Sequence, residues 1–164
     1  MGTPYPRAAL TNGLRFLKVS SLREITEAQW AQLDASDAIV FGSPTYMGTA
    51  SGAFHTFAEA SAKRWATRAW QDKLAAGFTN SASTSGDKLH TLQFFTVLAA
   101  QHGMSRVSLN LLPGWNSSTA EHLGRRIAEQ ARIVVAGRAA LAAWPAHHGP
   151  QASGPGTQNA RAAP

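Results

Sequence analysis

The sequence predicts an α/β fold, with one parallel sheet of about four strands flanked by helices. Two observations carry this expectation. Short apolar runs that suit buried strands alternate along the chain with amphipathic stretches of helical period, which is the pattern of βαβ units. Each run then enters a segment rich in glycine, serine, threonine or proline, as strands do where they open onto a ligand crevice.

The elements follow in order. Residues 1–13 hold Pro4, Pro6, Asn12 and Gly13 and read as an irregular lead-in. Residues 14–19 nearly alternate apolar and basic side chains, as on a half-exposed strand. Residues 26–33 read as a short helix with Trp30 and Leu33 on one face, and residues 37–42 as a buried parallel strand that ends at Gly42-Ser43-Pro44. Phe54, Phe57, Ala58, Ala62 and Trp65 recur at helical spacing and predict one long helix over residues 51–70. A second buried strand is expected at 73–78, before the polar stretch 79–86. Leu89, Leu92, Phe95 and Ala99 predict a helix over 87–101 that stops at His102-Gly103. Residues 104–112 alternate as a strand, and Ser118 and Glu121 have capping-box spacing ahead of a last helix with Leu123, Ile127, Ala131 and Val134 inward. Residues 146–164, rich in Ala, Gly, Pro and Gln, have too little apolar surface to order themselves and read as a disordered tail, leaving 14–145 as one domain.

Composition narrows the chemistry. With 164 residues and 44% apolar content the chain suits a single soluble core, and no apolar run approaches the ~18 residues of a membrane span. The absence of cysteine removes disulfides, thiolate metal sites and a Cys nucleophile, so redox chemistry requires a bound cofactor. No His-Glu-x-x-His or comparable ligand spacing points to a metal. The formal charge of +6 raises nucleic acid as a partner, but the basic residues are scattered without a recognition motif, which argues against it. Without a basic-then-apolar leader in residues 1–6, the expected location is cytoplasmic.

The unusual chemistry lies in the loops. Gly42 to Gly52 allows close backbone approach, with Pro44 fixed in φ and Tyr46 and Met47 offering flat or polarizable surface to an aromatic ring. The same residues serve as a plain βα turn in which Ser51 caps the next helix. Thr79 to Gly86 offers hydroxyls and backbone N–H donors just before a helix N-terminus, suited to an electron-rich ligand edge or simply to a capped loop. His102 is either a third contact to that edge or a helix-end cap, and Trp65 either core or a stacking surface.

Four segments together resemble the flavodoxin-like NAD(P)H:quinone oxidoreductases, which bind FMN. They are residues 37–48 with Ser51-Gly52, residues 72–80, Ser85-Gly86-Asp87-Lys88, and residues 99–104. The resemblance covers about residues 14–112 and implies a three-layer sandwich around a parallel sheet. It implies FMN contacts from Pro44, Thr45, Tyr46, Met47 and Gly48, from Ser81, Ala82, Ser83, Thr84, Ser85 and Gly86, and from His102. It further implies Trp65 beside the quinone-like acceptor, NAD(P)H as cosubstrate, a homo-oligomer, and no side chain acting as acid or base. The implied activity is hydride transfer from NAD(P)H through FMN to a quinone or similar acceptor. The alternative is a flavodoxin-like remnant, weak or empty in flavin, that acts as an interaction module.

One departure stands out. The family opens with a strand and a Ser/Thr/Gly-rich loop for the FMN phosphate, and residues 1–13 resemble neither, while 14–19 resembles the second strand. In the order 2-1-3-4-5 the first strand is internal, and its loss leaves a gap of about two strand spacings, 9–10 Å. Residues 14–19 closing it, a partner chain filling it, or marginal stability are the expected resolutions.

Overall fold

A computed structural model describes residues 25–83, 86–111 and 118–144. The elements run α1 (Glu27–Asp34), β1 (Ala38–Tyr46), β2 (Thr49–Ala50), α2 (Gly52–Ala60), α3 (Ala62–Ala66), β3 (Leu74–Asn80), α4 (Lys88–Gln101), β4 (Ser105–Arg106) and α5 (Ser118–Ala142). The strand expected at 14–19, the lead-in 1–13 and the tail 146–164 lie outside the described residues.

The strand order is β2-β1-β3-β4. β1, β3 and β4 are parallel, as expected, but β2 folds back antiparallel on the end of β1, so the sheet is mixed. This hairpin was not legible because its turn, Tyr46-Met47-Gly48-Thr49, lacks an Asn-Gly or Asp-Gly pair. Met47 (φ 48°) and Gly48 (φ 79°) are both left-handed, the requirement of a two-residue turn that follows strand twist. Glycine meets that requirement at no steric cost at Gly48, while Met47 adopts it against its side-chain preference.

Alternate residues of β1 face opposite layers. Ile39 and Phe41 enter the larger core with Trp30 of α1, Phe57 of α2, Trp70, Ala75 of β3, and Phe95 and Ala99 of α4. Ala38 and Val40 face the other way, onto a second core formed by Ala76, Leu123 and Ile127, with α5 as its cover. Helices therefore lie on both faces, and the three-layer arrangement follows from the period of two in the strands.

Two expected elements differ in extent and a third in the face it buries. The helix at 51–70 is broken at Ser61, whose hydroxyl donates to the Ala58 carbonyl (2.7 Å) and meets His102 Nε2 (2.9 Å). Beyond α3, left-handed Arg68 (φ 55°) and Asp72 (φ 63°) turn the chain so that Trp70 becomes wholly buried. The strand at 104–112 pairs only at Ser105–Arg106, one more bond running from Val107 N to the Ala75 carbonyl (2.8 Å) before Asn110 (φ 55°) leaves extended geometry. On α4 the inward stripe is Thr91, Phe95 and Ala99, while Leu89 is exposed.

Candidate functional site

The loops after β1 and β3 meet at the carboxyl end of the sheet because the two strands are parallel and in register, with Pro44 beside Asn80. Ser43 Oγ accepts from Ser51 N (3.0 Å), and Ser51 Oγ accepts from Phe54 N (3.3 Å), so the βα-turn role foreseen for Ser51 is realised as the cap of α2. The hairpin then lifts Tyr46 and Met47 out of the body. Tyr46 is 63% exposed and Met47 wholly so, presenting one ring and one thioether above the crevice. From the first turn of α4, His90 Nδ1 donates to the Gly48 carbonyl (3.0 Å), and Thr49 Oγ1 lies 3.4 Å from His55 Nε2.

Thr45 points the other way. It is buried, and its Oγ1 lies 2.8 Å from Thr79 Oγ1 on β3 and 2.8 Å from Thr91 Oγ1 on α4. The loop after β3 curls tightly: Ser81 Oγ donates to the Ser83 carbonyl (2.8 Å), and Lys88 Nζ donates to the same oxygen (2.7 Å). A Cβ on Gly86 would stand 2.7 Å from Ser81 Oγ, so glycine is what permits this approach. Pro44, Thr45, Tyr46, Met47, Gly48, Ser81, Ala82, Ser83 and Gly86 are thus gathered at one end of the sheet, while Thr84 and Ser85 lie outside the described residues.

His102 and Trp65 are not gathered with them. A crossover helix runs against the strands it joins, so the last turn of α4 reaches the opposite, amino-terminal end of the sheet, roughly 20 Å away at about 3.3 Å per residue of β3. There His102 is buried 4.4 Å from the Trp70 ring. Since Ser61 spends its one proton on Ala58, His102 Nε2 carries the proton shared with Ser61 Oγ, and Nδ1 is an acceptor without a partner. Burial holds the His102 pKa below the ordinary imidazole range. Trp65, one helical turn past Ser61, is exposed on the same side of the molecule.

The remaining ionic contacts at that end are architectural. Arg64 reaches Glu27 (2.9 Å) and Asp34 (3.4 Å) and lies over the Trp30 ring (4.5 Å), locking α3 to α1. Lys73 Nζ donates to the carbonyls of Asp34 (2.7 Å) and Ser36, and Arg138 to that of Asp72. Burial lowers the Lys73 pKa, with Arg138 adding to the effect and Asp37 and Asp34 opposing it.

Residues 15–113 match the model of the NADPH-dependent FMN reductases, and the chain belongs to that family. It is 46% identical over 103 residues to flavodoxin FldP of Pseudomonas aeruginosa, a match covering 63% of this chain and 56% of that protein. NAD(P)H dehydrogenase (quinone) of Archaeoglobus fulgidus is 31% identical over 105 residues (63% and 55% covered), and that of Syntrophus aciditrophicus 29% over 104 (63% and 51%). The chain spans about half the length of these relatives. The crystal structure of a WrbA-like flavodoxin from Agrobacterium tumefaciens superposes with a TM-score of 0.62 at 49% identity, covering 66% of this chain and 74% of that one. The fold is flavodoxin-like. Among the described residues no helix is long and apolar enough to cross a membrane.

Proposed function

We propose that this chain forms the FMN-binding part of an oxidoreductase that passes electrons from NAD(P)H to a quinone-type acceptor. The observation that carries this reading is the pairing, at one end of the sheet, of an exposed Tyr46–Met47 turn with a polar loop at the start of α4. The described residues fit the ring end of the group. Tyr46 and Met47 would lie against its flat ring system, and Ser81, Ala82, Ser83 and Gly86 would line its polar edge with hydroxyls and backbone N–H groups. FMN, when bound, supplies the two-electron transfer between nicotinamide and acceptor. The chain's own residues bind and orient the ring, and none of them is assigned a proton. The names of the Syntrophus and Archaeoglobus relatives support a quinone acceptor.

The test is an FMN titration followed by flavin fluorescence, then NAD(P)H oxidation with a soluble quinone. Binding in the micromolar range or tighter, with acceptor-dependent oxidation, is expected. No binding at 100 µM FMN, roughly −5.5 kcal/mol or weaker, would sink the reading. One observation favours the interaction-module alternative: among the described residues, the edge of β1 from Ala38 to Pro44 opposite β3 pairs with no strand. Absent FMN binding together with self-association through that edge would select it.

A further inference from the structure

We propose that Thr91 is a positioning residue for the crevice: through the hydroxyl of Thr45 it holds the Thr45–Tyr46–Met47 turn in the geometry a bound ring needs. The inference rests on the FMN reading above. Thr91, Phe95 and Ala99 form one buried stripe at four-residue spacing, and β1 presents Ile39, Phe41, Ser43 and Thr45 on the facing side. Deep in the sheet this contact is apolar, with Phe95 and Phe41 ring centroids 6.2 Å apart. At the crevice end it becomes polar, and the wholly buried Thr91 meets Thr45 at 2.8 Å.

Thr45 Oγ1 lies between two hydroxyls, 2.8 Å from Thr91 Oγ1 and 2.8 Å from Thr79 Oγ1. Each hydroxyl can both donate and accept, so the bridge runs from α4 through β1 to β3 and ties the two crevice strands to the helix behind them. Thr45 is adjacent to Tyr46, so the last buried anchor before the exposed turn is this hydroxyl. Thr91→Val keeps the shape of the side chain and removes only the helix end of the bridge, whereas Thr45→Val cuts both of its bonds at once.

The experiment reads two quantities, FMN affinity by fluorescence titration and amide exchange of residues 45–49 in the flavin-free chain. Thr91→Val is expected to weaken FMN about tenfold and to speed exchange in that segment about tenfold, with exchange in the middle of β3 unchanged. Thr91→Ser is expected to restore both to within twofold. Phe95→Leu, which thins the same helix contact without touching the hydroxyls, serves as the destabilised control. Unchanged exchange and affinity in Thr91→Val, or equal losses in Phe95→Leu, would overturn the proposal. If Val at this position prevents purification, Thr91→Ala is read in the same way. Should the unsubstituted chain bind no FMN, the functional reading falls by itself, and the exchange arm still decides whether Thr91 holds the turn.

Discussion

Removing the Tyr46 ring is the sharpest test of where the flavin would sit. An aromatic side chain offers about 200 Å², and at 63% exposure Tyr46 leaves roughly 120 Å² of it to solvent. A ring system lying against one face would cover about half, some 60 Å², which at about 25 cal/mol per Å² contributes about 1.5 kcal/mol. Offset stacking adds about 0.5–1.5 kcal/mol. Tyr46→Ala should therefore cost about 2–3 kcal/mol, a loss of FMN affinity of about thirty- to a hundredfold and more. The fold should be indifferent, since the ring contributes little buried surface in the free chain. The assay is fluorescence titration of FMN into both proteins, with far-ultraviolet circular dichroism melts run alongside. Quinone reduction at subsaturating FMN should fall in proportion. An affinity change below threefold, with the melt unaltered, would refute the placement of the ring on this turn.

Trp70→Phe removes the indole bond to Asp34 Oδ1 (2.8 Å) and part of a wholly buried ring. The expected loss is about 2–3 kcal/mol, or roughly 4–12 °C in melting temperature, whereas Trp65→Phe on the surface should stay within about 0.5 kcal/mol. For His102, whose folded pKa is lowered by burial, the unfolded chain takes up a proton first as pH falls through about 6.5. The stability contributed by its neutral form is complete above that pH, is lost below it, and stops falling once the pH passes the lower folded value. Urea titrations at pH 7.5 and 5.5 should show a smaller acid loss in His102→Gln than in the parent, and parallel pH profiles would contradict the assignment. Replacing Arg125 and Arg126 together by Ala breaks an exposed pair with Glu121 (3.8 Å) and a bond to the Ser108 carbonyl (2.8 Å). Among the described residues neither bonds to the loops after β1 and β3, so FMN affinity should hold within twofold in the titration, and a larger change would show that α5 takes part in binding.

Much of the architecture was legible from the chain alone. The apolar runs around Ile39–Phe41 and Leu74–Ala76 marked the buried strands, their polar followers marked the crevice end, and Trp30, Phe57 and Ile127 fell on the faces that helical spacing gave them. The motif residues Pro44 to Gly48 and, after β3, Ser81, Ala82, Ser83 and Gly86 belong to one sheet end because parallel strands must end together, a consequence of connectivity that needs no coordinates. Tertiary structure decided what polarity and period do not encode. Periodicity set Leu89 inward and said nothing of Thr91, yet Thr91 is buried because Thr45 offers its hydroxyl a partner, and Leu89 is left in solvent. His102 and Trp65 looked equivalent to the loop residues as chemical types. The direction of α4, and the break of the preceding helix at Ser61, carried them to the opposite end of the sheet. The hairpin of Tyr46 to Thr49 depends on left-handed backbone at Met47, which its side chain does not favour and which the bonds from β2 and His90 hold in place. Local sequence fixes the period and polarity of a segment, whereas its direction, its break points and the partners of its polar groups are set by the elements packed against it.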